Sequence, residues 1–507
     1  MSILTNLEVF FLLPTNRTHK EYQDFVKYQI QLHYASGILK LTHNDWLLIE
    51  KLWNTDLSNT AKFLQKQYGR RGPKPIDPDC MLRSYLLMLL TRQGYSITYW
   101  VDELRRAPIF AILSGFEPGH TPGIGTFYDF FSRLWNSDSP NIKKQEKRRK
   151  RKPPKGKKKG EKALTTSPGK VARLVKRLLK YTSSNSTKQP FDGLYNFFQS
   201  EFLTVSANLG LLGLMDSLTV AGDGTPVVTS SLLRSKSMCN CRAQGLENCQ
   251  HKRVFSQPDC DSGWDSSRER FFNGYHLYML TASDSPYDLP LYPRFQPASR
   301  HDSLSLIVSA IEFSQRFHLG TVNRVLLDAA HDAIAIYQLF DHHNVEPIID
   351  LNCHNATNTP LAGDFTLSPF GIPICSAGIP MKPNGFDHKK GCHKWRCGKA
   401  KGKINTCTSP CSSAKYGRTF LTYLGDNPRL ITKTKRGSEE WKLIYNRRTS
   451  VERSNKREKV DYKLESGRHR TTMIWYMRIF GIMMCQHIDA WHSTSKSTLN
   501  QKYLILG

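Results

Sequence analysis

Residues 218–228 read LTVAGDGTPVV and residues 322–328 read VNRVLLD. Both are short apolar runs that meet an aspartate. Leu218–Ala221 and Val227-Val228 flank Asp223, and Val322–Leu327 reads as a buried strand ending in Asp328. A carboxylate on an apolar strand is costly to bury without a cation, a hydrogen-bond cage or exposure at the strand's end. A single such aspartate is ordinarily a turn-former, and Gly222 and Gly224 around Asp223 suit that reading. Two of them call for a different one.

Strands and helices alternate around these runs. Phe271–Leu280 (FFNGYHLYML) and Leu289–Phe295 read as strands and Ser303–Phe313 as a helix, with a second helix to about Phe340 and a strand at Val345–Ile349. The pattern predicts an α/β fold, a sheet flanked by helices. An amphipathic stretch, Val171–Leu203, precedes it. Further upstream the chain looks wholly helical. Asp77-Pro78 forms an N-cap and N1 pair before a helix through Leu90, Ser96 caps a second helix through about Leu104, and Thr121-Pro122 precedes a third through Leu134. These helices suit a helix-turn-helix-like DNA reader and equally a plain bundle.

Charge narrows the function classes. The chain has 507 residues and a net charge of +29. The run KKQEKRRKRKPPKGKKKGEK, Lys143 to Lys162, reads as a flexible linker and carries 13 Lys/Arg against two Glu, leaving +18 elsewhere. The folded parts themselves are therefore expected to face a polyanion, with nucleic acid the obvious one. Glu8 interrupts the apolar N-terminal patch and no positive region precedes it, so no signal peptide is read. Met473–Cys485 is broken by Arg478 and too short to span a bilayer. A reducing, cytoplasmic and nucleoid-associated setting is expected, since the 12 cysteines cluster rather than scatter.

A third acidic residue stands in the most basic helical stretch, YNRRTSVERSNKREK at residues 445–459. At about 100° per residue, Tyr445, Arg448, Glu452 and Lys459 fall within an arc of roughly 60°, and Lys456 extends it slightly. A solvated stripe with an Arg448–Glu452 pair would contribute only about 0.2–0.5 kcal/mol. The alternative is a carboxylate aimed where cations and phosphate oxygens meet, flanked by side chains that hold a phosphodiester. Asp223, Asp328 and Glu452 are separated by 105 and 124 residues, so only a fold could bring them together. Two Mg²⁺ or Mn²⁺ ions about 3.5–4 Å apart would need such carboxylates.

The spacing Tyr445-x2-Arg448-x3-Glu452-x6-Lys459 resembles the Y-R-E-K signature of a large group of DDE transposases from bacterial insertion sequences. LTVAGDGT and RVLLDAAHD are similar to the contexts of that family's two catalytic aspartates, and IDPDCMLRSYLLMLL and TPGIGTFYDFFSRLW to its N-terminal helical domain. The resemblance covers most of the chain. It implies a ribonuclease-H-like mixed sheet with the first Asp on the first strand, the second on the fourth and the Glu on a late helix. It further implies Asp223, Asp328 and Glu452 as catalytic ligands of two Mg²⁺ (or Mn²⁺) ions, and Tyr445, Arg448, Lys456 and Lys459 as DNA-binding. The expected division is 1–137, helical and DNA-end-binding; 138–170, basic linker; 171–350, first part of the catalytic core; 351–430, a Cys-rich insertion; and 431–507, the core's last helices.

The Cys-rich insertion departs from the minimal fold. Cys392-x4-Cys397-x9-Cys407-x3-Cys411 resembles four structural zinc ligands, with free thiols in a loop-rich insertion as the alternative. A second, less regular set is Cys239, Cys241, Cys249, His251 and Cys260. Asp332 is read either as support for the site or as a solvated helix residue, and His301-Asp302 as a helix cap. Trp395, Tyr416 and Tyr423 are read as core aromatics rather than base-stacking ones. The resulting expectation is a transposase acting on double-stranded DNA as a homodimer or higher oligomer: it binds terminal inverted repeats, cleaves the ends and joins the 3′-hydroxyls to target DNA. The alternatives are a non-cutting DNA-binding regulator derived from such an enzyme, and a metal-dependent nuclease that never joins.

Overall fold

The computed structural model describes residues 17–69, 75–135, 137–142, 168–180, 188–231, 245, 257–352, 359–361, 363–401, 404–405, 407–467 and 469–495. The basic run from Lys143 to Lys162 lies outside them, as do Cys239, Cys241, Cys249 and His251 of the second cysteine set. Its fifth member, Cys260, is buried against Gln257 and Thr229.

The N-terminal region is helical: α1 (His19–Ala35), α2 (His43–Trp53), α3 (Asn59–Leu64), α4 (Pro78–Leu90), α5 (Ile97–Arg106), α6 (Pro108–Ser114) and α7 (Ile124–Trp135). Local chemistry sets the starts. Thr18 with Glu21, and Thr42 with Asp45, form reciprocal capping boxes, and Ser96 accepts the Tyr99 N–H at 3.2 Å. Asp77-Pro78 opens α4 as expected. Every residue of α4 is buried, which leaves it no face to offer DNA. Its one charged pair, Asp79–Arg83 at 2.8 Å, is buried with it, and the Arg83 guanidinium lies 3.6 Å from the Tyr22 ring centroid.

The amphipathic stretch becomes α8 (Lys170–Lys180), α9 (Asp192–Phe198) and a π-helical turn (Gln199–Leu203), and α10 (Thr204–Asn208) follows. Then come β1 (Leu218–Val228), β2 (Asp261–Asp265), β3 (Arg270–Ala282), β4 (Pro290–Pro297), α11 (Asp302–Ser314), β5 (Val322–Leu327), α12 (Ile334–His342) and β6 (Glu346–Ile349). The six strands form one mixed sheet in the order β2-β3-β1-β5-β6, with β4 also paired to β3. β1 runs antiparallel to β3, with Asp223 opposite Met279, and parallel to β5, with Ala221 opposite Leu326. β5 and β6 are parallel. A mixed α/β sheet flanked by helices, with a helical region before it, is thus observed. One buried apolar cluster runs from Tyr22 in α1 through the sheet to Ala490, so the N-terminal helices and the sheet share a core.

Of the two aspartates, the first lies on the first strand as expected, and the placement of the second needs correction. Asp223 does not sit in a turn: β1 runs unbroken through Gly222 and Gly224, which are there because neighbouring side chains press against the strand. A Cβ on Gly224 would run into His276 and Asp302, and one on Gly222 would lie 2.9 Å from the Tyr278 hydroxyl. Asp328 follows the fifth strand in chain order and not the fourth, because β2 is interposed.

The insertion is built of short strands: β7 (Thr359–Pro360), β8 (Thr366–Leu367), β9 (Pro373–Ile374), β10 (Lys382–Asp387), β11 (Cys392–Arg396), β12 (Ala400–Lys401), β13 (Ile404–Asn405) and β14 (Thr419–Tyr423). They pair as β7-β8-β9, β10-β11-β14 and β12-β13. Trp395 is buried and donates to Thr422 at 2.9 Å, as a core aromatic should, whereas Tyr416 and Tyr423 are exposed, against expectation. Arg429 pairs with Asp332 at 2.6 Å and ties the insertion's exit to the start of α12, so Asp332 is buried and not a solvated helix residue.

The last helices of the described residues are α13 (Glu439–Asn446), α14 (Thr449–Lys456) and α15 (Thr472–Thr494). α15 is apolar nearly all round, yet its Arg478 is satisfied by the Leu464 and Lys463 carbonyls at 2.9 and 2.6 Å. Among the described residues, no helix is long and apolar enough to cross a membrane.

Candidate functional site

Asp223 lies in the middle of the central strand, half-buried, its Oδ1 accepting the Gly224 N–H at 2.8 Å. Successive side chains of a strand alternate between faces. Gly222 and Gly224 face Tyr278, His276 and Asp302, so Asp223 turns to the other side. Burial pushes its carboxyl up to about 7, and the Asp328 and then the Asp302 carboxylates add to the rise.

Asp328 leaves the end of β5 and caps the short turn after it, accepting the Ala330 N–H at 3.2 Å. Its Oδ1 is 2.5 Å from His331 Nδ1, and His331 Nε2 is 3.0 Å from the Tyr278 hydroxyl. Burial opposes ionisation of Asp328, but the His331 hydrogen bond and charge outweigh it and hold the carboxyl below its ordinary range. Asp302 opens α11. The cap of that helix is His301, whose Nδ1 accepts the Ser303 N–H at 3.3 Å, while Asp302 reaches His276 Nε2 at 2.7 Å. Burial again opposes and the His276 contact again prevails, lowering the Asp302 carboxyl. Asp223 and Asp328 thus lie side by side on neighbouring strands, Asp302 sits across β1 from Asp223 but within electrostatic reach of it, and imidazoles steady the Asp328 and Asp302 carboxylates.

The basic stretch behaves differently from a single helix. α13 ends at Asn446, and α14 begins at Thr449 after a tighter step in which Arg448 N–H donates to the Tyr445 carbonyl at 2.9 Å and Val451 N–H to that of Arg448 at 3.3 Å. Beyond Lys456 the backbone widens into a π-type turn, Arg457–Asp461. The shared face over residues 445–459 is therefore divided among two helices and a turn. Arg448 is half-buried, packs its guanidinium 5.7 Å from the Tyr445 ring centroid and lies within electrostatic reach of both Asp223 and Asp328. Burial pushes the Tyr445 phenol up to about 12. Glu452 is 49 % exposed, and its Oε1 is 2.8 Å from Arg448 Nη1.

The structure thus gathers Asp223, Asp328, Tyr445 and Arg448, and attaches Glu452 to them through Arg448. It does not converge the three expected metal ligands fully. Among the described residues, the one set of three or more His, Cys, Asp or Glu ligand atoms all within 4.8 Å of one another is Asp77, Asp79 and Cys80, where Asp79 is already engaged by Arg83. Lys459 is not free to grip a ligand: its Nζ donates to the Pro226 carbonyl at 2.7 Å and lies 3.4 Å from Glu465, clasping the end of β1. Lys456 is exposed. Nor do the four expected zinc ligands form a set. Cys392 is buried in β11, Cys397 lies just past the end of that strand, and no three of the four sulfurs lie mutually within 4.8 Å.

His276, His331 and Tyr278 are the residues that the sequence did not point to, and Asp302 was read only as part of a helix cap. His276 and Tyr278 lie two apart in FFNGYHLYML, a signal that one strand face is polar, and the short Asp328-to-His331 step was legible as a turn. No protein-family model matches the chain, and neither does any curated protein.

Proposed function

We propose that the chain is a DDE transposase with a ribonuclease-H-like core, which binds the terminal inverted repeats of an insertion sequence, hydrolyses a phosphodiester at each end and joins the freed 3′-hydroxyls to target DNA. The observation that carries this reading is the placement of Asp223 and Asp328 on neighbouring parallel strands, each two residues beyond the register pair Ala221 and Leu326. Three further features support it: the sheet order with its antiparallel β3-β1 and parallel β1-β5-β6 halves, the packing of α14 against β1 and β3, and the net charge of +29.

The donor set fits the proposed ions. Asp223, Asp328 and Glu452 offer only oxygen, as Mg²⁺ or Mn²⁺ prefers, and a central carboxyl near 7 gains most from a cation beside it. When bound, two such ions would activate a water or a 3′-hydroxyl and neutralise phosphate charge. In this reading His331 and His276 orient Asp328 and Asp302, and Arg448 exchanges Glu452 for a phosphate oxygen at the scissile end, releasing Glu452 toward the aspartates. Tyr445 stacks beside that guanidinium and lends it direction, Lys456 meets backbone phosphate, and Lys459 holds the turn onto β1. Double-stranded DNA would be the partner, a dimer or higher oligomer the working form, and the nucleoid the place. Incubating the protein with plasmid carrying the DNA that flanks its gene, in Mg²⁺ or Mn²⁺, tests this: nicking or cutting at the element ends is expected, and its loss in Asp328→Asn. End binding without any cutting would instead support the regulator.

A further inference from the structure

The insertion is poorly supported by apolar packing. Its two buried clusters have three members each: Phe365, Met381 and Trp395 in one, Leu367, Leu430 and Ile431 in the other. Five of its eight strands are two residues long. A small unit with so little core ordinarily needs a covalent or metal staple, and no disulfide is formed by Cys375, Cys392, Cys397, Cys407 or Cys411.

The backbone brings three cysteine-bearing turns together. Cys375 opens a tight turn, its N–H donating to the Ile379 carbonyl at 3.1 Å and its carbonyl accepting the Gly378 N–H at 2.8 Å. Gly398, directly after Cys397, lies against the far leg of that turn: a Cβ there would run into the Pro380 carbonyl and lie 3.2 Å from Ile379 Cγ2. Only glycine admits this approach, which sets Cys397 beside the Cys375 turn. The third turn, Cys407-Thr-Ser-Pro-Cys411, joins them, with Cys375 and Cys397 among the neighbours of the Cys411 thiol. Cys392 belongs to none of these turns. His393, the nearest imidazole in the strand, is engaged with the Thr432 carbonyl at 2.9 Å.

We propose that the insertion holds one structural zinc ion on Cys375, Cys397, Cys407 and Cys411. This replaces Cys392 of the sequence-based set by Cys375, and it pairs the turn at Cys375 and the end of β11 with a C-x3-C loop, a four-thiolate tetrahedral site. No three of these sulfurs lie mutually within 4.8 Å, so ligation draws the three turns inward, each thiol giving up its proton to solvent as it binds. The ion supplies the staple that the two small clusters do not.

Metal content of the purified full chain tests this without DNA, and so independently of the transposition reading. The full chain expressed with zinc and dialysed should carry about one zinc per molecule, and Co²⁺ exchanged into it should show the intense sulfur-to-metal absorption of a four-thiolate site. Cys375→Ser and Cys411→Ser should lose the metal, and Cys392→Ala should keep it. A folded wild-type chain that takes up neither zinc nor a thiolate-bound Co²⁺ overturns the proposal. So does a Cys392→Ala protein that loses its zinc while Cys375→Ser retains it. The Co²⁺ spectrum of the wild type keeps the test decisive where a serine variant fails to fold.

Discussion

Arg448 and Glu452, one helical turn apart, are joined by a 2.8 Å ion pair at the edge of the acidic site, and the arginine is the more buried of the two. On the proposed mechanism this pair is a resting contact that the DNA phosphate replaces. Removing either partner should then fail differently. Glu452→Gln should abolish cleavage and leave end binding intact or slightly tighter, because a repelling charge is gone. Arg448→Ala should bind ends with near-normal affinity but cleave them about a hundredfold more slowly, since a positioning contact matters most in the transition state. Gel-shift affinities beside single-turnover cleavage rates would separate the two; loss of binding in a well-folded Glu452→Gln protein contradicts the assignment.

Raised carboxyls predict an unusual pH dependence. Burial pushes Asp223 up to about 7 and the fully buried Glu458 up to about 8. Between about pH 4 and these values the unfolded chain has released protons that the folded chain keeps. Stability should therefore fall as pH rises from about 4 to 8 and level off beyond. Mg²⁺ should restore the Asp223 part and not the Glu458 part. Thermal unfolding at pH 5 and pH 8, with and without Mg²⁺, would measure this. Asp223→Asn should unfold at higher temperature than the wild type at pH 8 in metal-free buffer, and an equal or lower value would remove the proposed strain at the site.

Gly224 is where the strand and the acidic cluster meet. Gly224→Ala drives a methyl into His276 and Asp302, so the β1 neighbourhood must shift. A destabilisation of about 1–3 kcal/mol is expected, with a disproportionate loss of cleavage because Asp223 moves with the strand. Gly222→Ala meets the Tyr278 hydroxyl at 2.9 Å, a smaller overlap, and should be milder. Denaturant midpoints of the two variants give the comparison; a Gly224→Ala protein as stable and active as wild type would show that the close approach does not matter.

The two lysines of the basic stretch should also part ways. Lys459 hydrogen-bonds the Pro226 carbonyl, so Lys459→Ala should cost about 1.5–3 kcal/mol of stability. Lys456 is exposed, so Lys456→Ala should leave stability within about 0.5 kcal/mol. Its effect belongs in the salt dependence of DNA binding, lowered by about 0.9 of a slope unit for each duplex phosphate that the lysine would have neutralised. Equal stability effects for the two would show that the Lys459 clasp is not formed.

Much of this architecture is written in local sequence. The apolar runs around Asp223 and before Asp328 became β1 and β5, and the caps at Asp77, Ser96 and His301 became helix starts. What could not be read depends on register or on distant contacts. Gly222 and Gly224 look like turn residues until β3 and α11 are in place to crowd them. His276 and Asp302 meet only because β3 and the start of α11 lie over the same strand face. The step at Arg447 and Arg448 was hidden because both keep right-handed helical dihedrals, and only the shortened hydrogen bonds divide α13 from α14.

The most direct measurement is joining of a labelled element end to plasmid DNA in Mg²⁺. The account predicts covalent transfer of the label by the wild-type protein, and none by Asp223→Asn, Asp328→Asn or Glu452→Gln proteins that still bind the end. A wild-type protein that cuts the end yet never joins it would be a nuclease, and one that binds the end but leaves it whole in both Mg²⁺ and Mn²⁺ would contradict the catalytic reading altogether.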